Sequence, residues 1–504
     1  MPGTPPPTSA TQRLLPWLER HGILLLVGYF LLMGLLRPLI SSALEFDEAE
    51  QMLHTQRLLL GYGAQPPLFT WLLYGLFALD GPSLLALALL KNGLMFLSTL
   101  FLFLASRRIL GSGLPALAVA LSFLLIPQFA WESQRIFTHS VALTTCAVAA
   151  FYLLVRVQQE GRLADYAGLG LALGLGALSK YSFALHAILL LGAALLTPAL
   201  RGVLLDRRIL LTLIIAAVLT LPHGLWLLEH WEAAFAPTMD KLHVASDSNL
   251  LTTFFTGWGS LAWSAFLFLT PLWMVYLWAA RAPREDAPAP DTIWRAFFLR
   301  YGLLFVIGMS LFILLAQATS FRDRWLQPFL VLAPLAALLL WPMGRAGARR
   351  LIAASLVLMA LAFVLLNTRV LLGGMLDKPS KVNLPIEQIA ERLRAQGWTR
   401  GLILAENMQV AGDLKLQLPE STVLKTGLAL IPDAELRREC EVLLAWDKPN
   451  QPEPPAELSA AFMSLYGRAW IELPHEHAAI SAPMLHGKRI YTLHTLHIRQ
   501  ACTS

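Results

Sequence analysis

The chain has 504 residues, 56% of them hydrophobic and 14% charged, and its apolar residues recur in segment after segment of membrane-spanning length. That composition excludes a wholly water-soluble protein and predicts a polytopic α-helical membrane protein. The formal charge is +6 at pH 7, but the arginines are scattered between apolar segments, which reads as topology signalling and excludes a nucleic-acid surface.

Residues 1–21 are polar and Pro-rich and read as a cytoplasmic leader. The apolar run from Ile23 to Ile40 that follows is long and has no clear small-residue cleavage site, so it is expected to stay as a helix and not be removed as a signal peptide. Transmembrane helices are expected near 22–40, 84–105, 113–130, 139–157, 166–178, 184–199, 209–228, 258–280, 297–317, 326–343 and 351–371, eleven in all. With a cytoplasmic N-terminus every inner loop is Arg-rich: Arg107 and Arg108; Arg156 and Arg162; Arg201, Arg207 and Arg208; Arg281, Arg284 and Arg295; Arg345, Arg349 and Arg350. The loops 41–83, 131–138, 179–183, 229–257 and 318–325 then face outward. In a bacterium this is a multi-pass inner-membrane protein with a transmembrane domain at 22–375, a structured first periplasmic loop at 41–83 and a periplasmic domain at 376–504.

Composition changes at about Asp377. LPIEQIAERLRAQGW alternates like an amphipathic helix, and GLILAEN, EVLLAWD, RAWIEL and RIYTLHTLHIR read as short strands, so the tail is expected to be a small α/β domain. Two of the three cysteines, Cys440 and Cys502, fall there, and either a disulfide or two free thiols is open; Cys146 reads as a packing residue within a helix. His475, Glu476, His477, His486, His494 and His497 raise a zinc site, but none has helical HxxxH spacing, and a separation of three in a strand turns His494 and His497 to opposite faces. There is no internal repeat, Walker motif, Rossmann glycine pattern or CxxC pair.

The outer loops hold the unusual chemistry. After the first span comes FDEAEQ and then QPPLFTWL; Met52, Leu53, Leu59 and Leu60 against Glu50, His54, Gln56 and Arg57 suggest an interfacial helix, and Pro66 and Pro67 start a second one. Carboxylates there can be solvated helix caps, the reading given to Glu45 and Glu50. Lys180, between two short apolar runs in ALSKYSFAL, must snorkel or pair with an anion. Arg322, Asp323, Arg324 and Trp325 break the positive-inside trend, and arginines beside an aromatic suit a phosphate. In the loop 229–257, His230 and His243 among tryptophans fit an interfacial belt or an acceptor lid.

A carboxylate pair facing cations at the outer membrane surface suggests group transfer from a lipid-phosphate donor. Asp47 would take the proton of an acceptor hydroxyl as general base, and Lys180 with Arg324 or Arg322 would stabilise the departing phosphate.

The order FDEAEQ, QPPLFTWL, GPSLLALALL closing at RRILG, LSKYS and RDRWLQP resembles the bacterial branch of the protein mannosyltransferase superfamily, glycosyltransferase family 39, over roughly residues 20–345. The resemblance implies the membrane-embedded GT-C fold, kinship with lipid A aminoarabinose and galacturonosyl transferases, and inverting transfer at the periplasmic face from a polyprenyl-phosphate-linked sugar to a membrane glycolipid or other envelope acceptor. Asp47 matches the acidic residue of the family's first loop and Glu48 its neighbour. Where lipid A transferases often have Lys or His before the double proline, this chain has Gln65, which can hydrogen-bond to a phosphate but brings no charge. Several relatives have a second acidic residue where this chain reads RIFTHSVAL. Arg135 and His139 occupy that neighbourhood and, with His54 and Trp325, are the candidate sugar or acceptor contacts. The sugar, the acceptor and a divalent-metal requirement stay open. A polyprenyl-linked sugar flippase and a noncatalytic carbohydrate-binding subunit are the alternatives; clustering of ionisable residues at one face favours an enzyme over a midplane transport site.

Overall fold

Inside a bilayer every backbone polar group must find its partner within the protein, and a predominantly apolar chain meets that demand as helices. In the computed structural model, which describes residues 10–242, 249–283, 291–448 and 451–502, that is what forms from α1 (Ala10–Ile40) to the helix Arg345–Met375. Residues 1–9 of the leader, 243–248 with His243, and 284–290 with Arg284 lie outside the described residues; residues 10–21 already belong to α1.

Among the described residues, seven helices are long and apolar enough to cross a membrane, and up to ten if three bent pairs each count as one span. The pairs are Gly113–Leu125 with Gln128–Arg135, Phe183–Leu196 with Pro198–Leu205, and Asp323–Leu330 with Ala333–Leu340, bent by 69°, 112° and 58°. Pro127, Pro198 and Pro334 stand at the breaks, where a missing N–H and a ring clash end an incoming helix. The one expected span left over, the fifth at 166–178, is the 15-residue helix Leu163–Ala177. At 1.5 Å per residue such a helix reaches about 22 Å, short of a hydrocarbon core of roughly 30 Å. The count of eleven is therefore not confirmed.

The first outer loop folds as α2 (Phe46–His54), a turn containing the bridge Tyr62↔Gln65, and α3 (Leu68–Asp80), which opens directly after Pro66 and Pro67 and leads to α4 (Leu84–Leu110). The expected helix through Leu59 and Leu60 stops at His54, where Gln56 and Arg57 N–H turn to the carbonyls of Leu53 and His54, and further on tertiary partners hold the chain: Trp71 Nε1 donates to Leu59 O at 2.8 Å, and His223 Nδ1 meets Leu60 O at 2.7 Å. Gly61 sits so close to the Trp226 ring that a Cβ would come within 2.3 Å of it.

The C-terminal part is a five-stranded sheet ordered β2-β1-β3-β5-β4, from β1 (Leu402–Ala405), β2 (Thr422–Lys425), β3 (Val442–Trp446), β4 (His475–Pro483) and β5 (Ile490–Ile498). β1 runs parallel to β2 and β3, while β5 is antiparallel to β3 and β4. LILA and VLLAW are buried throughout, as continuous apolar strands covered on both faces must be. RAWIEL is not a strand; Trp470–Glu472 forms a single 3₁₀ turn. The real edge strand, HEHAAISAP, escapes notice because much of it is exposed and it lacks the apolar alternation of a half-buried strand. The sheet's hydrophobic core also takes in Ala43, Leu53 and Tyr62, so the first loop is packed into this domain as much as onto the membrane helices.

Cys440 and Cys502 form a disulfide across 62 residues, tying the start of β3 to the segment after β5. Closing a loop of that length is worth about 4 kcal/mol in the chain-entropy model. Cys440→Ser should lower the unfolding midpoint of the C-terminal domain in detergent, and reduction of the wild type should reproduce the shift. An unchanged midpoint would show that the bond contributes no stability.

Candidate active site

α2 starts at Phe46 with Glu45 as its N-cap, so FDEAEQ makes up its first turns. Helical spacing places Asp47, Gln51 and His54 along one stripe, with Glu48 turned about 100° away. The two neighbouring carboxylates consequently meet different surroundings.

Glu48 is completely buried between two cations from membrane helices: Arg37 on α1 reaches one carboxylate oxygen at 2.7 Å and Lys91 on α4 the other at 3.0 Å. The same carboxylate accepts the Glu45 backbone N–H at 3.0 Å. Arg37 also donates to the carbonyls of Ser41 and Ala43, and Lys91 to that of Gln134. Burial alone would raise the Glu48 pKa, but Arg37 and Lys91 outweigh it and hold the carboxyl down to about 2. Both oxygens are committed, so Glu48, expected beside Asp47 as a supporting and orienting group of the catalytic pair, anchors α2. Glu45 is not a solvated cap either, since it is buried and paired with Arg369 at 2.7 Å and Arg135 at 3.8 Å.

Asp47 looks the other way. Burial pushes its carboxyl up to about 6, against the pull of Lys180, then Arg324, then Lys91, with Glu48 adding to the rise. Lys180, in the turn after the helix Leu163–Ala177, donates to Ser140 Oγ at 3.0 Å. Burial lowers its pKa to about 8, with Asp47 raising and Arg324 lowering it. Arg324 lies in the short turn Asp323–Leu326, where Asp323 accepts from Gln128 at 2.5 Å and from the Arg324 backbone N–H at 2.7 Å. Three residues separated by 133 and 144 positions in sequence thus form one electrostatic cluster: a carboxylate whose pKa burial raises, under the pull of two cations.

The other candidates are placed differently. His139 is 3% exposed, and its Nε2 takes Gln51 Nε2 at 3.0 Å while Thr70 Oγ1 donates to Gln51 Oε1 at 2.8 Å, a chain that braces α2 against α3. His54 is 2% exposed and stacks on Tyr62 with centroids 4.9 Å apart; its burial lowers its pKa to about 4. Arg135 is held by Glu45 and Glu132. These three candidate sugar or acceptor contacts thus each have partners within the protein. Arg322 is exposed, and Trp325 is half-buried against the membrane core. Gln65 is half-buried, its backbone paired with Tyr62. His230 stacks on Trp226 at 4.4 Å.

Among the described residues no group of three or more His, Cys, Asp or Glu side chains is placed to hold a metal ion. The carboxylate set does not fit a divalent ion, because Glu48 is spent on Arg37 and Lys91. In the tail, His494 faces Trp446 at 5.7 Å and His477 at 5.9 Å, whereas His497 pairs with Glu441. Lys91 and Arg37 were not singled out from sequence. The signal was present in ALLKNGL and GLLRPLI: ionisable residues inside apolar spans are rarely idle.

Comparison with known proteins identifies the family of the chain. Residues 64–226 match the family described as dolichyl-phosphate-mannose-protein mannosyltransferase. The lipopolysaccharide core galacturonosyltransferase RgtA of Rhizobium johnstonii is 32% identical over 480 residues, covering 92% of this chain and 94% of the relative. RgtB of the same organism, another lipopolysaccharide core galacturonosyltransferase, is 33% identical over 450 residues, covering 88% and 89%. The crystal structure of ArnT from Cupriavidus metallidurans bound to undecaprenyl phosphate shares the fold, with a TM-score of 0.57 at 14% identity, covering 96% of this chain and 99% of that one. The chain belongs to the bacterial branch of the protein mannosyltransferase superfamily, membrane glycosyltransferases of the GT-C fold related to the enzymes that modify lipid A and the lipopolysaccharide core.

Proposed function

We propose that the protein transfers a sugar, a galacturonosyl group by analogy with its relatives, from a polyprenyl-phosphate donor to a lipopolysaccharide-type glycolipid at the periplasmic face of the inner membrane. The observation that carries this reading is the cluster of Asp47 with Lys180 and Arg324. Asp47 accepts the proton of the acceptor hydroxyl as its oxygen bonds to the anomeric carbon. The bond from that carbon to the phosphate oxygen breaks on the opposite side, inverting the centre, and the electron pair leaves with the polyprenyl phosphate. Lys180 and Arg324 offset that growing charge, with Arg322 and Gln65 as outer phosphate contacts and Trp325 against the sugar. The periplasmic assignment is supported by the Arg-rich inner loops and by the Cys440–Cys502 disulfide, which calls for an oxidising compartment.

The test is reconstitution of the purified protein in proteoliposomes with undecaprenyl-phosphate-galacturonic acid and a core lipopolysaccharide acceptor, with mass spectrometry of the product for transfer and NMR for its anomeric configuration. Transfer with inversion supports the reading. Movement of donor across the bilayer without transfer would instead establish a flippase.

A bell-shaped pH profile should accompany transfer. Asp47 acts as a base only when ionised, so the rate should fall as pH drops through about 6. Lys180 acts only when charged, so it should fall again as pH rises through about 8. A rate flat from pH 5 to 9 would contradict both assignments.

A further inference from the structure

The C-terminal domain grips α2 from the face opposite Asp47, and the grip is built from unusually close contacts. Two residues along a helix turn it by about 200°, so Ala49 lies behind Asp47. Against Ala49 rests Gly412 of the helix Met408–Gln417, so near that a Cβ at position 412 would fall 2.4 Å from Ala49 Cα and 2.6 Å from its carbonyl oxygen. On the same helix, Asp413 and Gln409 capture both backbone groups of Leu44, the residue before the N-cap. Asp413 accepts the Leu44 N–H at 2.7 Å, Gln409 donates to the Leu44 carbonyl, and the two side chains bond each other at 3.1 Å. Beyond the other end of α2, Gln56 pairs with both backbone groups of Val423 on β2, at 2.7 and 2.9 Å. Asp413 is fully buried and Gln409 is 5% exposed.

We propose that this domain is a positioning clamp: Gly412, Asp413 and Gln409 set the depth and angle at which α2 presents Asp47 to Lys180 and Arg324. A solubilising appendage would not need a glycine at helix-to-helix contact or two side chains spent on the backbone of a single loop residue over 360 positions away. The assignment rests on the glycosyl-transfer reading, but the geometry of the grip does not depend on it.

The test compares Gly412→Leu, Asp413→Leu and Asp413→Asn with wild type, measuring kcat and the donor KM per folded molecule and hydrogen exchange across residues 46–54. Displacing a reacting group by about 1 Å costs on the order of 100-fold in rate, so the two leucine variants should lose about that factor in kcat while the donor KM stays within about threefold. Asp413→Asn, which keeps an oxygen for Leu44, should retain most of the rate. Exchange in α2 should rise in the leucine variants while β1 and β3 remain protected. Should Gly412→Leu fail to fold, Asp413→Leu and Gln409→Ala carry the same comparison. Unchanged kcat with unchanged α2 exchange would overturn the clamp. If wild type transfers no sugar, the functional reading fails, and the exchange measurement still decides the clamp.

Discussion

Asp47→Asn should lower the rate of sugar transfer by about 10² to 10⁴-fold while leaving donor binding intact. The size follows from what a positioned general base contributes, and the sparing of binding follows from geometry, because the cations that would hold the donor phosphate are Lys180 and Arg324, from other elements of the fold. Lys180→Met should divide the effects the other way, raising the donor KM and lowering kcat together, since it would touch the phosphate in both ground and transition states. Asparagine preserves the size and most of the polarity of Asp47 but cannot accept the proton, so residual activity in Asp47→Asn should lose its acid limb near pH 6. Full transfer by Asp47→Asn, or loss of donor binding alone, would remove Asp47 from the role of base.

Glu48→Gln should be the most destabilising single substitution in the first loop. It leaves Arg37 and Lys91 buried at 8% and 1% exposure without the carboxylate that both now share. Breaking a buried ion pair from one side costs about 3 to 5 kcal/mol. Lys91→Met should cost less, because Arg37 still pairs with Glu48. Thermal unfolding in detergent gives the ranking, and a Glu48→Gln midpoint equal to wild type would show that the triad does not hold the loop. The pH dependence has a fixed sign. The folded pKa, about 2, lies below the ordinary value of 4.5, so the stability from Glu48 is complete above pH 4.5 and is lost as pH falls toward 2.

Residue chemistry made the cluster legible before the fold. Asp47, Lys180 and Arg324 stand out because charge at the outer end of an apolar run has few innocent explanations, and Arg-rich inner loops put all three on one side. Membrane spans were equally plain wherever one helix was long enough; the ambiguity lay in helices broken at Pro127, Pro198 and Pro334 and in the short helix Leu163–Ala177, whose length decides whether it crosses. Sequence set Asp47 as the base and Glu48 as a supporting group beside it, but could not name what Glu48 supports. Adjacent letters differ by 100° in a helix, and only the fold shows that one turn faces Arg37 and Lys91 while the next faces Lys180. His54 and His139 show a related limit: a histidine reads alike in sequence whether it meets a substrate or packs, as in this fold, against Tyr62 and Gln51. The pairing of Leu44 with Asp413 spans 369 positions and leaves no periodic trace in the sequence.

A structure with polyprenyl phosphate bound tests the central assignment most directly. The phosphate should sit within hydrogen-bond reach of Lys180 and Arg324, with the Asp47 carboxylate on the acceptor side of the site. A phosphate lodged instead in the small cavity lined by Arg37, Lys91, Asn92 and Arg369 would contradict it.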